Sequence, residues 1–575
     1  MPELLTKPHH FFITLIISAL MLSCGGPDTR EIVDEAYESY APYNRSEASG
    51  QNAAVVSGHP LATRAGQEVM REGGNATDAA VTMAAILTVV RPHMNGVGGD
   101  AFGIFYDDNS GEVTALNGSG RSGELASLDF FEEAGEDEIP MEGALAVTVP
   151  GAISAWYEAL ERHGTISFSE ALQPAIEYAE DGFAVTPTLV RDFETVTEEL
   201  NQAGQDIFMP DGEPLREGEI LKNPALAQTL QTLADEGPDA MYGGSIGQLI
   251  AEFIEQEGGY LRRVDFENHS ANWVDPLETE FMGNNVYAFP PNTQAIALPM
   301  QLKMTEYADV KNMDHNSADY LHHLIEIKKL AFADRDRWIA DPDFEDIPVD
   351  DLLDSDYLQN RVDQIGSVAA EDVEPGINDD LAHDVAEGDG DTVYLMAVDE
   401  EGNAVSWIQS IFSSFGSKLV EPETGLVLQN RGAGFTLEED HPNQIEPEKR
   451  PFHTLSSSLI TDQVGDFKAI TGTPGGDGQT QFKVQVLHNL YSFEMSPQEA
   501  VEAPRFRSYD GLEVAMESRI LPEIRMALRN RNHDLNIYEG WTPVFGGMQV
   551  IMKDPDSGAL RTGADPRREA SALAY

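Results

Sequence analysis

One cysteine in 575 residues, and 36 lysines and arginines against 99 aspartates and glutamates, are the scarcities that first narrow this sequence. A single thiol excludes an internal disulfide framework, a thiolate zinc cage and a cysteine-ligated iron–sulfur cluster. The shortage of cations leaves a formal net charge of −63. A surface this negative repels phosphate backbones and anionic lipid headgroups, so neither nucleic acid nor electrostatic membrane docking is expected. Beyond the N-terminal segment there is no apolar run of roughly 18 residues, so no membrane span is expected. At 41% hydrophobic and 23% charged residues the chain has the composition of a folded protein, long enough for one large domain or up to about four. The acids are dispersed in short clusters such as Glu132-Glu133 and Asp350-Asp351. Dispersed charge reads as a solvated surface, and it suits concentrated salt, where repulsion is screened within a few ångströms.

The one cysteine stands at an informative place. An apolar run from Phe11 to Leu22 leads into Leu22-Ser23-Cys24-Gly25-Gly26, too short to cross a bilayer and suited to the apolar region of an export signal. Small residues around Cys24 resemble a bacterial lipoprotein signal, so residues 1–24 are expected to be the signal. Cys24 would then carry the lipid, and residues 25–50 would be a polar tether. The alternative is an ordinary cleaved signal. Either way the protein is expected to be exported, periplasmic or at the cell surface, with membrane attachment by an N-terminal lipid anchor.

From Ala54 the pattern becomes mixed. Ala54-Val55-Val56-Ser57 reads as a strand, and Leu61–Glu72 as a helix stopped by Gly73-Gly74. Asn75 or Thr77 can cap a second helix reaching about Val90. Residues 150–330 read mainly as helices, including Ala152–His163 and, just beyond, Tyr320–Arg337. From Thr392 the texture changes to strands, with helices around 481–503 and 520–531. Asp107-Asp108-Asn109-Ser110-Gly111-Glu112 lacks EF-hand spacing and reads as a turn. The mixture predicts an α/β or α+β layered sandwich.

The chemistry concentrates around Thr392. Gly388-Asp389-Gly390-Asp391 is solvent-loving, whereas Thr392–Val398 is an apolar run fit for a buried strand. Asp399–Asn403 reads as a turn and Ala404–Ser410 as the return strand. A hairpin centred on Glu401 sets Val398 opposite Ala404 and Thr392 opposite Ser410, so two hydroxyls meet at the strand's start.

Thr392, the Val398-Asp399-x-x-Gly402-Asn403-Ala404-Val405 run, Phe415-Gly416-Ser417 and Thr424-Gly425-Leu426 together resemble the γ-glutamyltransferase (γ-glutamyltranspeptidase, glutathione hydrolase) family of N-terminal-nucleophile hydrolases. In the family's order the chain also carries His59-Pro60-Leu61-Ala62, Gly73–Ala80, Gly96-Val97-Gly98-Gly99-Asp100, Val149-Pro150-Gly151 and Lys329–Arg335. Asp341–Phe344, Lys449-Arg450-Pro451, Gly472–Gly476, Ala503-Pro504-Arg505 and Asp565-Pro566-Arg567-Arg568 follow. The resemblance implies a four-layer αββα sandwich and a precursor that cuts itself between Asp391 and Thr392. The products would be a large fragment, 51–391, and a small catalytic fragment, 392–575. A threonine hydroxyl needs an adjacent base, and a freed α-amine, with a reference pKa of about 7.7–8.0, can be that base. The resemblance also places the oxyanion hole at Gly475-Gly476, where a Gly-Gly turn can aim backbone N–H groups at one anion; a plain turn is the alternative. It sets Arg121 on the donor's α-carboxylate, a task suited to a planar guanidinium, with a structural ion pair as the alternative.

The sequence departs from the typical member where the donor's amino group would bind. Phe412, Arg431 and Gly434 stand where amide and acidic side chains are usual, and His453-Thr454 replaces a serine pair. With Leu428–Phe435 and Asp477, this resembles a subgroup related to glutaryl-cephalosporin acylases and oxamate amidohydrolases. The expected activity is hydrolysis or transfer of γ-glutamyl groups from small glutathione-like donors. The alternatives are an amidase for carboxylate-bearing amides lacking an α-amino group, to which Arg121, Arg431, His453 and Thr454 are suited, and an uncleaved solute-binding lipoprotein. No metal or organic cofactor is expected, since no His-Glu-x-x-His spacing is present and acyl transfer requires none.

The charge generates a first prediction: the melting temperature and activity should fall as salt is lowered from about 1 M to about 0.1 M, where screening lengthens from about 3 to about 10 Å. A melting temperature indifferent to salt would remove the high-salt reading.

Overall fold

The computed structural model describes residues 45–194, 196–377 and 390–575. Cys24, the apolar N-terminal run and Gly388-Asp389 lie outside the described residues. No helix among the described residues is long and apolar enough to cross a membrane.

The strand Asp391–Val398 sets the architecture, because both of its faces are apolar. Val393, Leu395 and Ala397 enter one core cluster, while Tyr394, Met396 and Val398 enter another. A strand reads as a continuous apolar run when each face is covered, and period-two alternation assigns successive residues to opposite layers. Asp391–Val398 lies inside a seven-stranded antiparallel sheet. Its order is Ser571–Ala574, Ala54–Ser57, Asp391–Val398, Ala404–Phe412, Asp100–Asp107, Glu112–Gly118, Asn272–Val274. A second antiparallel sheet of seven strands runs Ser49–Gly50, Leu560–Ala564, Gln549–Lys553, Phe467–Gly472, Ser457–Asp462, Asn284–Ala288, Leu277–Phe281.

The sheets meet through Phe102, Ile104, Tyr394, Met396 and Ile408 from the first and Leu459, Ile470 and Ile551 from the second. Outside the first sheet lie the helices Ala76–Val90, Ala152–His163 and Phe168–Asp181. Outside the second lie Ala297–Tyr307, Ala318–Trp338 and Gly478–Tyr491. The order helix, sheet, sheet, helix is the expected αββα sandwich. Every residue of Ala76–Val90 is buried, as a helix apolar on all sides requires. Asn75 starts it with a capping box, accepting from Thr77 and Asp78 while Asp78 accepts from the Asn75 amide.

Two sequence expectations are corrected. Residues 45–50, assigned to the tether, belong to the fold: Ser49-Gly50 pairs with Leu560-Arg561, and Glu47 holds Arg561 at 2.6 Å. The stretch read mainly as helix also contains the strands Asn272–Val274, Leu277–Phe281 and Asn284–Ala288. Leu277–Phe281 alternates in exposure, and Met282-Gly283, with φ of 50° and 76°, makes a tight two-residue turn. That period-two signal decides for a hairpin against helix. The acidic run Asp107–Glu112 is a turn, with Asp107 accepting from the Asn109 and Ser110 amides.

Candidate active site

The hairpin pairs as its sequence predicts from Val398/Ala404 to Val393/Gln409. There the register shifts by one residue and Asp391 pairs with Phe412. Phe412 takes a left-handed φ of 77°, costly for a residue with a bulky side chain, and such strain collects at functional sites. Its turned amide donates to Ser410 Oγ at 2.8 Å. Thr392 Oγ1 donates to the same Ser410 oxygen at 3.2 Å. Ser410 Oγ in turn donates to the Asp391 carbonyl oxygen at 2.7 Å. The predicted meeting of hydroxyls is therefore present, and Ser410 polarises the carbonyl of the bond that joins Asp391 to Thr392. Thr392 is only 1% exposed in this continuous chain.

Gly475 and Gly476 have φ of 127° and 51° and precede the helix Gly478–Tyr491. A Cβ added to Gly390 would lie 3.0 Å from Gly476 Cα, so the glycine pair abuts the chain one residue before Asp391. A helix N-terminus next to a Gly-Gly turn directs partial positive charge toward a developing oxyanion. The turn is fixed from outside. Gln294 Nε2 donates to the Gly476 carbonyl at 2.9 Å and to the Thr454 carbonyl at 2.6 Å. Arg335 Nη1 donates to Gln294 Oε1 at 2.8 Å and to Asp477 Oδ1 at 2.7 Å. Nothing in the sequence singles out Gln294. Arg335 and Asp477 stand inside recognisable motifs, but their role becomes visible only when the helix Ala318–Trp338 is folded against this turn.

Arg431 is almost fully buried. Its Nη2 donates to Ser410 Oγ at 3.3 Å, its Nη1 to Thr454 Oγ1 at 3.2 Å, and it lies over the Phe412 ring at 4.3 Å. Its Nε has no hydrogen-bond partner among the described residues. None of the ion pairs among the described residues involves Arg431. Burial lowers its pKa to about 9, against the opposing pull of Asp100 and Asp477, so it remains a cation at neutral pH.

Arg121 and His453 stand differently from expectation. Arg121 is engaged by Asp343 at 2.8 Å, Asp341 at 3.3 Å and the Glu448 carbonyl at 2.9 Å. The structural ion pair weighed as its alternative is thus formed. His453 is wholly buried, bonded through Nε2 to Asp100 Oδ2 at 3.1 Å and set edge-on to Phe102. Burial, aided by the charge of Arg431, lowers its pKa to about 4. It is a neutral support for Asp100, not a cation offered to a ligand. Thr454 serves by orienting Arg431.

Among the described residues one group of side chains could share a metal ion. His322, Glu326 and His533 place one ligand atom each within 4.8 Å of the others. Most of their ligand atoms are already engaged: His322 bonds His533 Nε2 at 2.8 Å and the Gly366 carbonyl at 2.9 Å, and Lys329 pairs with Glu326 at 2.9 Å. The ammonium of Lys329 opposes a further cation there.

Residues 62–575 match the family model described as Gamma-glutamyltranspeptidase. This chain belongs to the γ-glutamyltranspeptidase family. It is 36% identical over 536 residues to the glutathione hydrolase-like YwrD proenzyme of Bacillus subtilis, covering 91% of this chain and 98% of that one. It is 35% identical to the oxamate amidohydrolase proenzyme of Klebsiella pneumoniae, again over 91% and 98%. The crystal structure of a cephalosporin acylase from Bacillus halodurans superposes with a TM-score of 0.86 at 34% identity, over 94% of this chain and 98% of that one. The γ-glutamyltranspeptidase family is thus shown across both sheets, and with it the N-terminal nucleophile hydrolase architecture.

The buried histidines of this family member give a pH prediction. His453 has its pKa lowered from 6.5 to about 4, and His59, His269 and His488 are lowered to about 3, chiefly by burial. Between these values and 6.5 the unfolded chain binds protons that the folded chain refuses, so stability is lost as pH falls through that window. The melting temperature should drop from pH 7 to pH 4.5, and His453→Gln should flatten part of the slope. An unchanged slope in that variant would show that His453 does not contribute.

Proposed function

We propose that this protein is a self-processing threonine amidohydrolase whose acyl donors carry a carboxylate and no α-amino group. Arg431 carries the reading: a buried guanidinium beside Thr392 and Ser410, without a carboxylate of its own. A buried cation with no carboxylate in direct contact is costly and is satisfied by an anionic ligand. An ammonium at the same place would be repelled by it. The expected γ-glutamyl donor, with its α-amino group, fits this lining less well, and Arg121 is already held by Asp341 and Asp343. Relatives named oxamate amidohydrolase and acylase, alongside those named glutathione hydrolase, support such a donor class being within the family's range.

Thr392 Oγ attacks the Asp391 carbonyl carbon while Ser410 holds its oxygen. The C–N bond breaks, the nitrogen takes the hydroxyl proton, and an ester joins Asp391 to Thr392. Water hydrolyses that ester, giving the Asp391 carboxylate and restoring the hydroxyl. The freed α-amine then serves as base for the same hydroxyl against an external amide, with Gly475-Gly476 receiving the oxyanion. An acyl-enzyme forms, the amine leaves, and water or an acceptor amine releases the acyl group.

Denaturing electrophoresis should show two fragments for the wild type and one intact chain for Thr392→Ala. The processed enzyme should cleave glutaryl-anilide in preference to γ-glutamyl-anilide. Arg431→Met should lower kcat/KM for the glutaryl compound roughly 30- to 1,000-fold, the loss expected when one partner of a buried charged pair is removed. Preference for the γ-glutamyl compound would overturn the donor assignment, and an intact wild-type chain would overturn self-processing.

A further inference from the structure

The terminal motif Asp565-Pro566-Arg567-Arg568 contains two arginines with different surroundings. Arg567 is consumed by the fold: it is buried and paired with Glu517 at 2.8 Å and Asp565 at 3.0 Å. Arg568 meets a different acid. Its Nη1 lies 3.4 Å from Asp391 Oδ1, its one ion pair among the described residues. The side chain lies over Gly547, where a Cβ would come within 3.0 Å of Arg568 Cδ. Arg568 also lines a small cavity with Arg91, Thr392, Pro474 and Gly547. Arg91 is occupied by Glu569 at 3.1 Å and Asp192 at 3.5 Å.

This placement follows from topology. The last strand, Ser571–Ala574, pairs with Ala54–Ser57, which pairs with Asp391–Val398. The C-terminal segment therefore returns to the neighbourhood of the bond between Asp391 and Thr392. Asp391 is then gripped at two points, its carbonyl by Ser410 and its side chain by Arg568. Fixing both ends of one residue narrows its conformations toward the geometry that attack requires.

We propose that Arg568 is a positioning residue for self-processing, holding the Asp391 side chain so that the Asp391 carbonyl stays on Ser410 within reach of Thr392 Oγ. The proposal rests on the self-processing reading above. Arg568 takes no part in bond making: the attack, the N-to-O shift and the hydrolysis keep the atoms assigned to them there. The pair is partly exposed, at 12% and 19% for the two side chains, so its contribution is modest and shows in the rate of processing more than in its extent.

The test follows the fraction of chain cleaved against time in cell-free translation, read by denaturing electrophoresis. Arg568→Ala and Asp391→Asn should each slow cleavage about tenfold, and Arg568→Lys should recover part of the rate. The double variant Arg568→Ala/Asp391→Asn should be no slower than the slower single variant, because both remove one interaction. Wild-type speed in either Arg568→Ala or Asp391→Asn overturns the proposal, as does a double variant whose slowing is the product of the two. Asp391→Asn leaves Arg568 in place, so it decides the matter even where Arg568→Ala folds poorly. A wild-type chain that stays intact refutes self-processing itself, an outcome distinct from equal rates in cleaving chains.

Discussion

The site depends on one buried carboxylate. Asp100 is wholly removed from solvent, and a carboxylate so placed must be met by donors on every side or it destabilises the fold by several kcal/mol. Oδ1 accepts from the Gly120 amide at 3.0 Å, the Gly151 amide at 3.2 Å and Gln429 Nε2 at 3.0 Å. Oδ2 faces His453 at 3.1 Å. These donors come from turns distant in sequence, so the demand of a single anion gathers them. Glycine makes the gathering sterically feasible: a Cβ on Gly120 would collide with the Val149 carbonyl, and one on Gly99 with that of Ser410. His453 is accordingly neutral and structural, and the field of Asp100 helps to keep Arg431 charged nearby.

What the sequence made legible follows from the range of each signal. The hairpin of Thr392 and Ser410 could be written down because pairing across a short turn is local arithmetic, and the structure departs from it only at the Phe412 shift. The cap at Asn75 and the helices Ala152–His163 and Ala318–Trp338 were legible for the same reason. Arg121 was not, because its acids, Asp341 and Asp343, arrive from a remote loop. Neither was Gln294, whose amide is given meaning only by Gly476 and Thr454. A side chain's type states what bonds it can make; its partners are set by tertiary structure. The hairpin Leu277–Ala288 was locally visible, but its alternation sat among stronger helical patterns.

The charge distribution divides into an outside and an inside. The chain carries −63 formally, yet Arg431, Arg335, Arg505 and Arg567 are buried. The exterior acids act by number and are screened by salt, whereas the interior arginines act singly, at short range and in low dielectric, where screening by salt is weak. Scarcity of cations in the composition is therefore no guide to the sign of the field at Thr392.

The strands Asp391–Val398 and Ala404–Phe412 lie between Ala54–Ser57 on one side and Asp100–Asp107 on the other, and the final strand Ser571–Ala574 closes the far edge beside Ala54–Ser57. Residues before and after position 391 are thus woven through one fabric, as warp and weft. The proposed cut after Asp391 would change the connectivity of the chain without unpairing any strand of this weave. Neither side of that bond owns a complete sheet, so under the proposed processing each piece would be the other's missing half, assembled before the two exist as separate chains.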